Sequence, residues 1–189
     1  MFKTVNGGQL PTRGSKYSAC VDLYASEDVT IGAGETKLVG LGVCIDLESS
    51  NVYKSSDYMW ATKKKVDEDT LEIIKEQAKR DFMREHYLQL MLRSSLGVKG
   101  LILPNGVGII DLDYEDEIKM IIHNPLIPFI SYDNDGIVRG YVNEKAYYNI
   151  KKGDRIGQIT LLEHKSYLFG INTDDERSGG FGSTGGGKS

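Results

Sequence analysis

Short apolar runs separated by turn residues constrain the fold of this chain more than any other feature. Seven runs rich in Val, Ile, Leu and Tyr are each bounded by Gly, Asn, Asp, Ser or Pro. Such runs are typical of a β-sandwich or barrel, whereas a parallel sheet would alternate strands with helices. The predicted strands span residues 20–25, 37–47, 87–92, 106–111, 117–123, 147–150 and 155–162. We therefore expect an all-β domain.

Residues 67–85 depart from the strand pattern. Apolar residues recur there at spacings of three, four and four, with charged residues on the other faces: Leu71, Ile74, Ala78 and Phe82. This period predicts an amphipathic helix, and Asp67 precedes it as a capping residue. Residues 51–65 are polar and aromatic without a clear period, so we predict a loop there. Together, residues 49–85 are expected to form a helical insertion in a single domain of residues 1–189.

Composition limits the classes of partner. The 189-residue chain has a formal net charge of −4 at pH 7, which argues against a general nucleic-acid-binding protein. Neither a signal-peptide core nor an apolar run long enough to cross a bilayer is visible, so we expect a cytoplasmic protein without a membrane partner, or a host-cell cytoplasmic one if viral. Cys20 and Cys44 lie among apolar residues without metal-ligand spacing, so neither zinc nor a disulfide framework is expected.

The last eight residues, GSTGGGKS, match the P-loop pattern G-x-x-x-x-G-K-[ST]. A P-loop needs a strand before it and a helix after it, and the preceding TDDERSGGF does not resemble a strand. Two other interpretations are a flexible polar tail and a glycine-rich segment that closes over a phosphate bound elsewhere.

Four polar clusters lie at predicted strands and turns. NGVGIIDLDYEDE, residues 105–117, places a carboxylate at a strand end and a tyrosine across a turn. RSS, residues 93–95, offers donors suited to phosphate oxygens. GDRIGQ, residues 153–158, begins a strand, and ACVDLYA, residues 19–25, places Asp22 in an apolar strand where an unpaired charge is costly. Each cluster taken alone could also be an ordinary turn, salt bridge or strand end.

In this order, and with the glycine-rich tail, the four clusters resemble the five motifs of the trimeric dUTP pyrophosphatase (dUTPase) family. The family motifs AGxDLxA, RSxL, NxVGxIDxDYxGE, GDRIAQ and RGxGGFGSTG appear here as ACVDLYA, RSSL, NGVGIIDLDYEDE, GDRIGQ and RSGGFGSTG. Cys20 and Asp116 each replace a usual glycine. Arg177 lies one residue closer to Phe181 than the family pattern has it.

The resemblance implies a distorted jelly roll or β-barrel with an inserted amphipathic helix, and a Mg²⁺-dependent hydrolysis of dUTP to dUMP and pyrophosphate. Asp111 would be the general base that activates water for attack on the α-phosphorus. Tyr114 would lie against the deoxyribose, while Asn105 and the nearby backbone, including Gly108, would bind uracil.

The resemblance also assigns the phosphate and metal roles. Arg93, Ser94, Ser95 and Gln158 would bind phosphates, and Asp22 would act on Mg²⁺ through coordinated waters. Residues 173–189 would form a flexible lid whose substrate-binding residues are Arg177, Phe181, Gly182, Ser183 and Thr184. The family implies a homotrimer with shared active sites.

Residues 124–154 form a longer connection than the resemblance leads us to expect. They predict a hairpin insertion at 125–149 around Asn134-Asp135-Gly136. This hairpin could pack on its own barrel or, with residues 49–85, bind a regulatory protein. The alternative enzyme is dCTP deaminase, which shares the fold but fits Asp111 and Tyr114 less well.

Overall fold

The computed structural model describes residues 1–50, 52–127, 130–132, 134–136, 138–140 and 146–171. Within these ranges, antiparallel strands form most of the regular structure. The strands are β1 (Phe2–Thr4), β2 (Thr12–Arg13), β3 (Val21–Tyr24), β4 (Val29–Ile31), β5 (Thr36–Gly40), β6 (Val43–Ile45), β7 (His86–Leu92), β8 (Gly108–Asp111), β9 (Lys119–His123), β10 (Ile130–Tyr132), β11 (Val138–Gly140), β12 (Tyr148–Ile150) and β13 (Arg155–Glu163). The α-helices are α1 (Ser56–Lys64), α2 (Glu68–Glu85) and α3 (Ser94–Gly97), and Ser166–Phe169 form a short 3₁₀ helix.

A five-stranded sheet with the order β2-β3-β13-β7-β8 carries four of the predicted site residues, Asp22, Gly108, Asp111 and Gln158. Two-stranded pairs, β1–β6, β4–β12, β5–β9 and β10–β11, accompany it. On β7, Leu88 and Leu90 are buried in the core, whereas Tyr87, Gln89 and Met91 alternate with them and face away from it. The sheet therefore has one face in the core and one outer face.

Every predicted strand region contains a strand, which confirms the strand predictions to within a few residues. The predicted run 37–47 is split into β5 and β6, because Gly42 adopts a left-handed conformation with φ of +63° and bends the chain. Strands β1, β2 and β4 were not predicted. Each has only two or three residues, too few to show an alternating pattern.

The predicted amphipathic helix is confirmed as α2. Asp67 is its N-cap, and the Asp67 carboxylate accepts hydrogen bonds of 2.8 Å from both the backbone N–H and the hydroxyl of Thr70. Ala78 is buried in the core, and Phe82 and Met83 pack against that core. The helix therefore rests on the β domain through its apolar face.

The predicted loop at residues 51–65 is wrong, because residues 56–64 form helix α1. The Ser55 hydroxyl accepts a hydrogen bond from the N–H of Tyr58, and Lys65 ends the helix with φ of +53°. Ala61 is fully buried, whereas Met59 and Trp60 are exposed. A helix that buries so little of its surface shows no apolar period in its sequence. The expected all-β class is accordingly too narrow, since the chain is mostly strands with a few helices.

The connection before β12 contains the antiparallel pair β10–β11. Ile130 lies opposite Gly140 and Tyr132 opposite Val138, with residues 134–136 between the strands. Gly136 has φ of +75°, as a tight turn requires. That residues 125–149 are an inserted unit stays a prediction, as does the insertion of 49–85.

No helix in the described ranges is long and apolar enough to cross a membrane.

Candidate functional site

A cavity of about 250 Å³ lies beside the edge strand β8. Three predicted substrate-binding residues line it together: Asn105, Gly108 and Tyr114. Most of its other lining residues are apolar, namely Leu90, Leu103, Ile109, Ile110, Ile118 and Ile121. A small apolar cavity with a few polar groups at its wall is suited to a planar ring that needs orienting.

Two glycines shape the wall of this cavity. Gly106 has φ of +72° and donates its N–H to the carbonyl of Leu103 at 2.9 Å, which turns the chain into β8. A Cβ atom on Gly108 would lie 3.1 Å from the Cβ of Leu90, so glycine lets β8 lie close against β7. The chain before β8 is therefore held beside the cavity by backbone geometry.

Tyr114 lines the cavity from the tight turn that follows β8. Its N–H donates to the carbonyl of Asp111 at 3.1 Å, and its hydroxyl donates to the carbonyl of Glu117 at 3.3 Å. The side chain is only 8% exposed. The ring is thus a fixed part of the wall.

Asp111, the predicted general base, is the last residue of β8 and lies opposite Tyr87 of β7. It is exposed at the edge of the five-stranded sheet. The position at a strand end that the sequence predicted is confirmed. Its role as a base stays a prediction.

A second cluster is centred on Asp22, which is buried in β3. Asp22 Oδ1 lies 3.0 Å from Arg93 Nε, and Asp22 Oδ2 lies 3.3 Å from Arg155 Nη1. These two ion pairs explain how the apolar strand carries a carboxylate. The sequence predicts no role for Arg155, although the GDRIGQ motif contains it.

The remaining predicted phosphate-binding residues adjoin members of this ion-pair cluster in the sheet or along the chain. Gln158 of β13 lies directly opposite Asp22 of β3 and Met91 of β7, so Gln158 and Asp22 share the outer face of the sheet. Arg93 follows β7, and Ser94 and Ser95 begin the short helix α3. The structure therefore places Gln158 next to Asp22 in the sheet, and Arg93, which pairs with Asp22, at the end of β7 just before Ser94 and Ser95.

The two groups of site residues are separated within one chain. Asp111 pairs with Tyr87 of β7, and Arg93, six residues further along the chain, directly follows that strand, so their backbones are about 20 Å apart at about 3.3 Å per residue. None of the phosphate-binding candidates is among the described residues that line the cavity. The chain thus presents a ring-sized cavity beside β8 and, at a distance, a cluster of residues suited to binding phosphate. Asp111 ends β8 but is not among the residues that line the cavity.

Metal-binding groups are sparse in the described ranges. No cluster there contains three or more His, Cys, Asp or Glu residues that could hold a metal ion. Each Asp22 oxygen accepts from one guanidinium and keeps a lone pair for a water molecule.

The predicted lid, with Arg177, Phe181, Gly182, Ser183 and Thr184, lies outside the described residues.

Comparison with known sequences finds relatives that match almost the whole chain, although no family model matches it. The deoxyuridine 5'-triphosphate nucleotidohydrolase of Rickettsia akari is 30% identical over 185 residues, covering 94% of this chain and 89% of that protein. The enzyme of the same name from Rabbitpox virus is 27% identical over 189 residues, covering 97% and 90%.

Solved structures share the fold. The dUTPase from phage phi11 of Staphylococcus aureus has a TM-score of 0.56 at 16% identity, covering 97% of each chain. The dUTPase from Streptococcus mutans has a TM-score of 0.53 at 21% identity, covering 86% of this chain and 94% of that one.

Proposed function

The chain belongs to the dUTPase family and hydrolyses dUTP to dUMP and pyrophosphate, and we propose that it does so at sites each assembled from more than one copy of the chain. The observation that carries this proposal is the distance of about 20 Å between Asp111 and Arg93 within one chain. A general base must lie within one water molecule of the phosphorus, whereas a phosphate-binding arginine must touch phosphate oxygens. One chain cannot meet both conditions with these two residues.

The cavity beside β8 is proposed to bind the nucleoside. Asn105 and the backbone near Gly108 hydrogen-bond the uracil edge, and the cavity leaves no room for the 5-methyl group of thymine. Tyr114 packs against the deoxyribose and excludes a 2'-hydroxyl. The support for these roles is that all three residues line the same small cavity. Buried hydrogen bonds discriminate between substrates more strongly than apolar contacts do.

Asp111 is proposed to act as the general base. Its carboxylate takes a proton from water, and the resulting hydroxide forms a bond to the α-phosphorus. The bond from that phosphorus to the bridging oxygen breaks, and pyrophosphate leaves with the electron pair. A strand end supports this role, because a base must be held in one place.

The Asp22 cluster is proposed to bind the phosphates of a substrate whose nucleoside lies on a neighbouring copy. Arg93, Ser94, Ser95 and Gln158 donate hydrogen bonds to phosphate oxygens, and Asp22 orients Arg93 through its Nε. Asp22 would hold Mg²⁺ through coordinated water beside the phosphates, and the cation would neutralise part of their charge. A mutant phi11 phage dUTPase is described as coordinating a structural Mg(II) ion.

The copies are proposed to form a homotrimer, and the strands of each copy are proposed to form a distorted jelly roll or β-barrel. The outer face of the five-stranded sheet supports contacts between copies, since Ile109 and Leu162 are exposed on it beside Gln89 and Tyr87. The lid residues Arg177, Phe181, Gly182, Ser183 and Thr184 are proposed to complete a neighbour's site when substrate is bound.

Mixing two inactive variants tests the composite site. Asp111→Asn and Arg93→Gln chains are each expected to be inactive, and their co-expression should restore activity. In a random mixture, half of the chains supply an intact Asp111 and half of their neighbours an intact Arg93, so about a quarter of the sites are complete. If mixed oligomers of verified composition recover no activity, Asp111 and Arg93 of the same chain must act in one site.

Assaying pyrophosphate and ammonia release from dUTP, dCTP and dTTP side by side separates the enzyme classes. Pyrophosphate from dUTP alone is the expected result, whereas ammonia from dCTP would indicate a dCTP deaminase.

A regulatory protein-binding role for residues 49–85 and 125–149 is the second candidate. The observation that favours it is the exposure of Trp60 and Ile73, at 57% and 71%, on α1 and α2. Trp60→Ala and Ile73→Ala should leave dUTP turnover and oligomer size unchanged if this surface serves another protein. A change in oligomer size would assign the surface to contacts between copies.

A further inference from the structure

Glu117 follows the Tyr114 turn and has no role in the proposed reaction, yet three donors hold its carboxylate. Oε1 accepts from the backbone N–H of Gly42 at 2.7 Å and from the hydroxyl of Ser26 at 3.2 Å. Oε2 accepts from the side-chain amide of Asn6 at 2.8 Å. The donors come from three separate segments of the chain, so this carboxylate ties those segments to the turn.

The surroundings of Glu117 leave its carboxylate little freedom. A Cβ atom on Gly40 would lie 2.7 Å from Glu117 Oε1 and 2.6 Å from the Ser26 hydroxyl, so any larger residue there would displace both groups. The main chain beside Glu117 is also fixed: Leu41 donates its N–H to the carbonyl of Ile118 at 3.0 Å, and Ile118 donates to Val43 at 2.8 Å. Backbone and side chain therefore hold Glu117 against the bend between β5 and β6.

This fixed residue provides the acceptor for the Tyr114 hydroxyl. The hydroxyl donates to the Glu117 carbonyl at 3.3 Å, and Tyr114 is one of the residues that line the cavity beside β8. A ring excludes a 2'-hydroxyl only if it cannot move back to admit it, which requires support behind it. We propose that Glu117 is a positioning residue that holds Tyr114 in place and thereby sets the discrimination between dUTP and UTP. The inference rests on the sugar-facing role of Tyr114 proposed above.

The test compares kcat/KM for dUTP and for UTP in Glu117→Gln. This substitution keeps the shape and replaces one acceptor oxygen by a donor. We expect the dUTP/UTP ratio to fall about tenfold, with UTP turned over faster than by the wild type. Glu115→Gln is the matched control, because it makes the same charge change at an exposed position on the same turn. It should leave the ratio unchanged.

Two further variants keep the proposal falsifiable if Glu117→Gln does not fold. Asn6→Gly removes one donor at a residue whose φ of +51° suits glycine, and it should lower the ratio by a smaller factor. Tyr114→Phe removes the hydroxyl, so adding Glu117→Gln to it should lower the ratio no further. Circular dichroism melting verifies folding.

A wild-type dUTP/UTP ratio in folded Glu117→Gln and Asn6→Gly would overturn the inference. A further fall of this ratio when Glu117→Gln is added to Tyr114→Phe would overturn it as well. Either result would leave the proposed function intact. A wild-type enzyme that hydrolyses UTP as well as dUTP would overturn the proposed role of Tyr114, and the inference with it.

Discussion

Asp111 shows how much a single residue depends on its place in the chain. It ends β8, where pairing with β7 holds its backbone; the cavity lies beside the same strand, and Tyr114 follows on the next turn. Rigid backbone on one side and a binding cavity on the other are what a positioned base requires. The exposed Asp113, two residues further along, offers a carboxylate on the same turn for comparison.

Replacing Asp111 by Asn keeps the side-chain shape and removes its ability to take a proton. Turnover of dUTP should fall by about a hundredfold or more, because general-base catalysis contributes about that much. Binding of dUTP, measured by calorimetry, should persist, and Asp113→Asn should turn over dUTP normally. Near-normal turnover by Asp111→Asn would contradict its assignment as the base.

At the scale of elements, α2 is attached to the β domain by an ion-pair group as well as by its apolar face. Glu48, in the segment after β6, forms ion pairs with Lys79 and, at 3.4 Å, with Lys75 of α2. The hydrogen bond from Lys79 lowers the pKa of Glu48 below its ordinary value of 4.5. The N–H of Thr70 likewise lowers the pKa of the Asp67 cap below 3.8.

These lowered pKa values predict acid sensitivity of the helical segment. A carboxyl group with a lowered pKa stabilises the fold above its ordinary pKa, and that stabilisation is lost as the pH falls through the folded-state value. The melting temperature should therefore drop below about pH 4.5, and Glu48→Gln should show a shallower drop. Circular dichroism melts between about pH 6 and about pH 3 measure this effect.

Glu163→Gln, at an exposed position at the end of β13, is the control and should keep the full drop. Because Glu48 is about half exposed, high salt should weaken the effect. An unchanged slope in Glu48→Gln would show that the ion pairs do not stabilise α2.

At the scale of the whole molecule, the last residues of the chain distinguish two ways of binding phosphate. In a P-loop, Lys188 and Ser189 would be the essential pair. In the lid interpretation, those two lie beyond the working segment, and Arg177, Phe181 and Ser183 are among the residues that carry the function.

Two truncations separate these interpretations. A chain stopped after Gly186 should keep nearly full turnover. A chain stopped after Asp175 should fold, bind dUTP weakly and have the mass of a trimer when measured by light scattering. It should nevertheless lose most of its turnover of dUTP. If removing only the last three residues abolished turnover, the lid interpretation would fail and the P-loop would have to be reconsidered.

The sequence by itself determined the local features of this protein. Strand runs, the apolar period of α2 and its Asp67 cap depend on neighbouring residues, and the structure bears them out. The motif residues likewise identified the family and the function. Helix α1 could not be predicted from the sequence. It buries Ala61 and little else, so its residues show no apolar period.

Only the tertiary structure decided how the site residues are grouped. The register of β8 on β7 brings Asn105, Gly108 and Tyr114 around one cavity and leaves Asp111 about 20 Å from Arg93. The pairing of Asp22 with Arg155 and the three donors on Glu117 join segments far apart in the chain. A residue pattern reports which face of an element is buried, but it does not report what lies against that face, because the partner is chosen by packing and register.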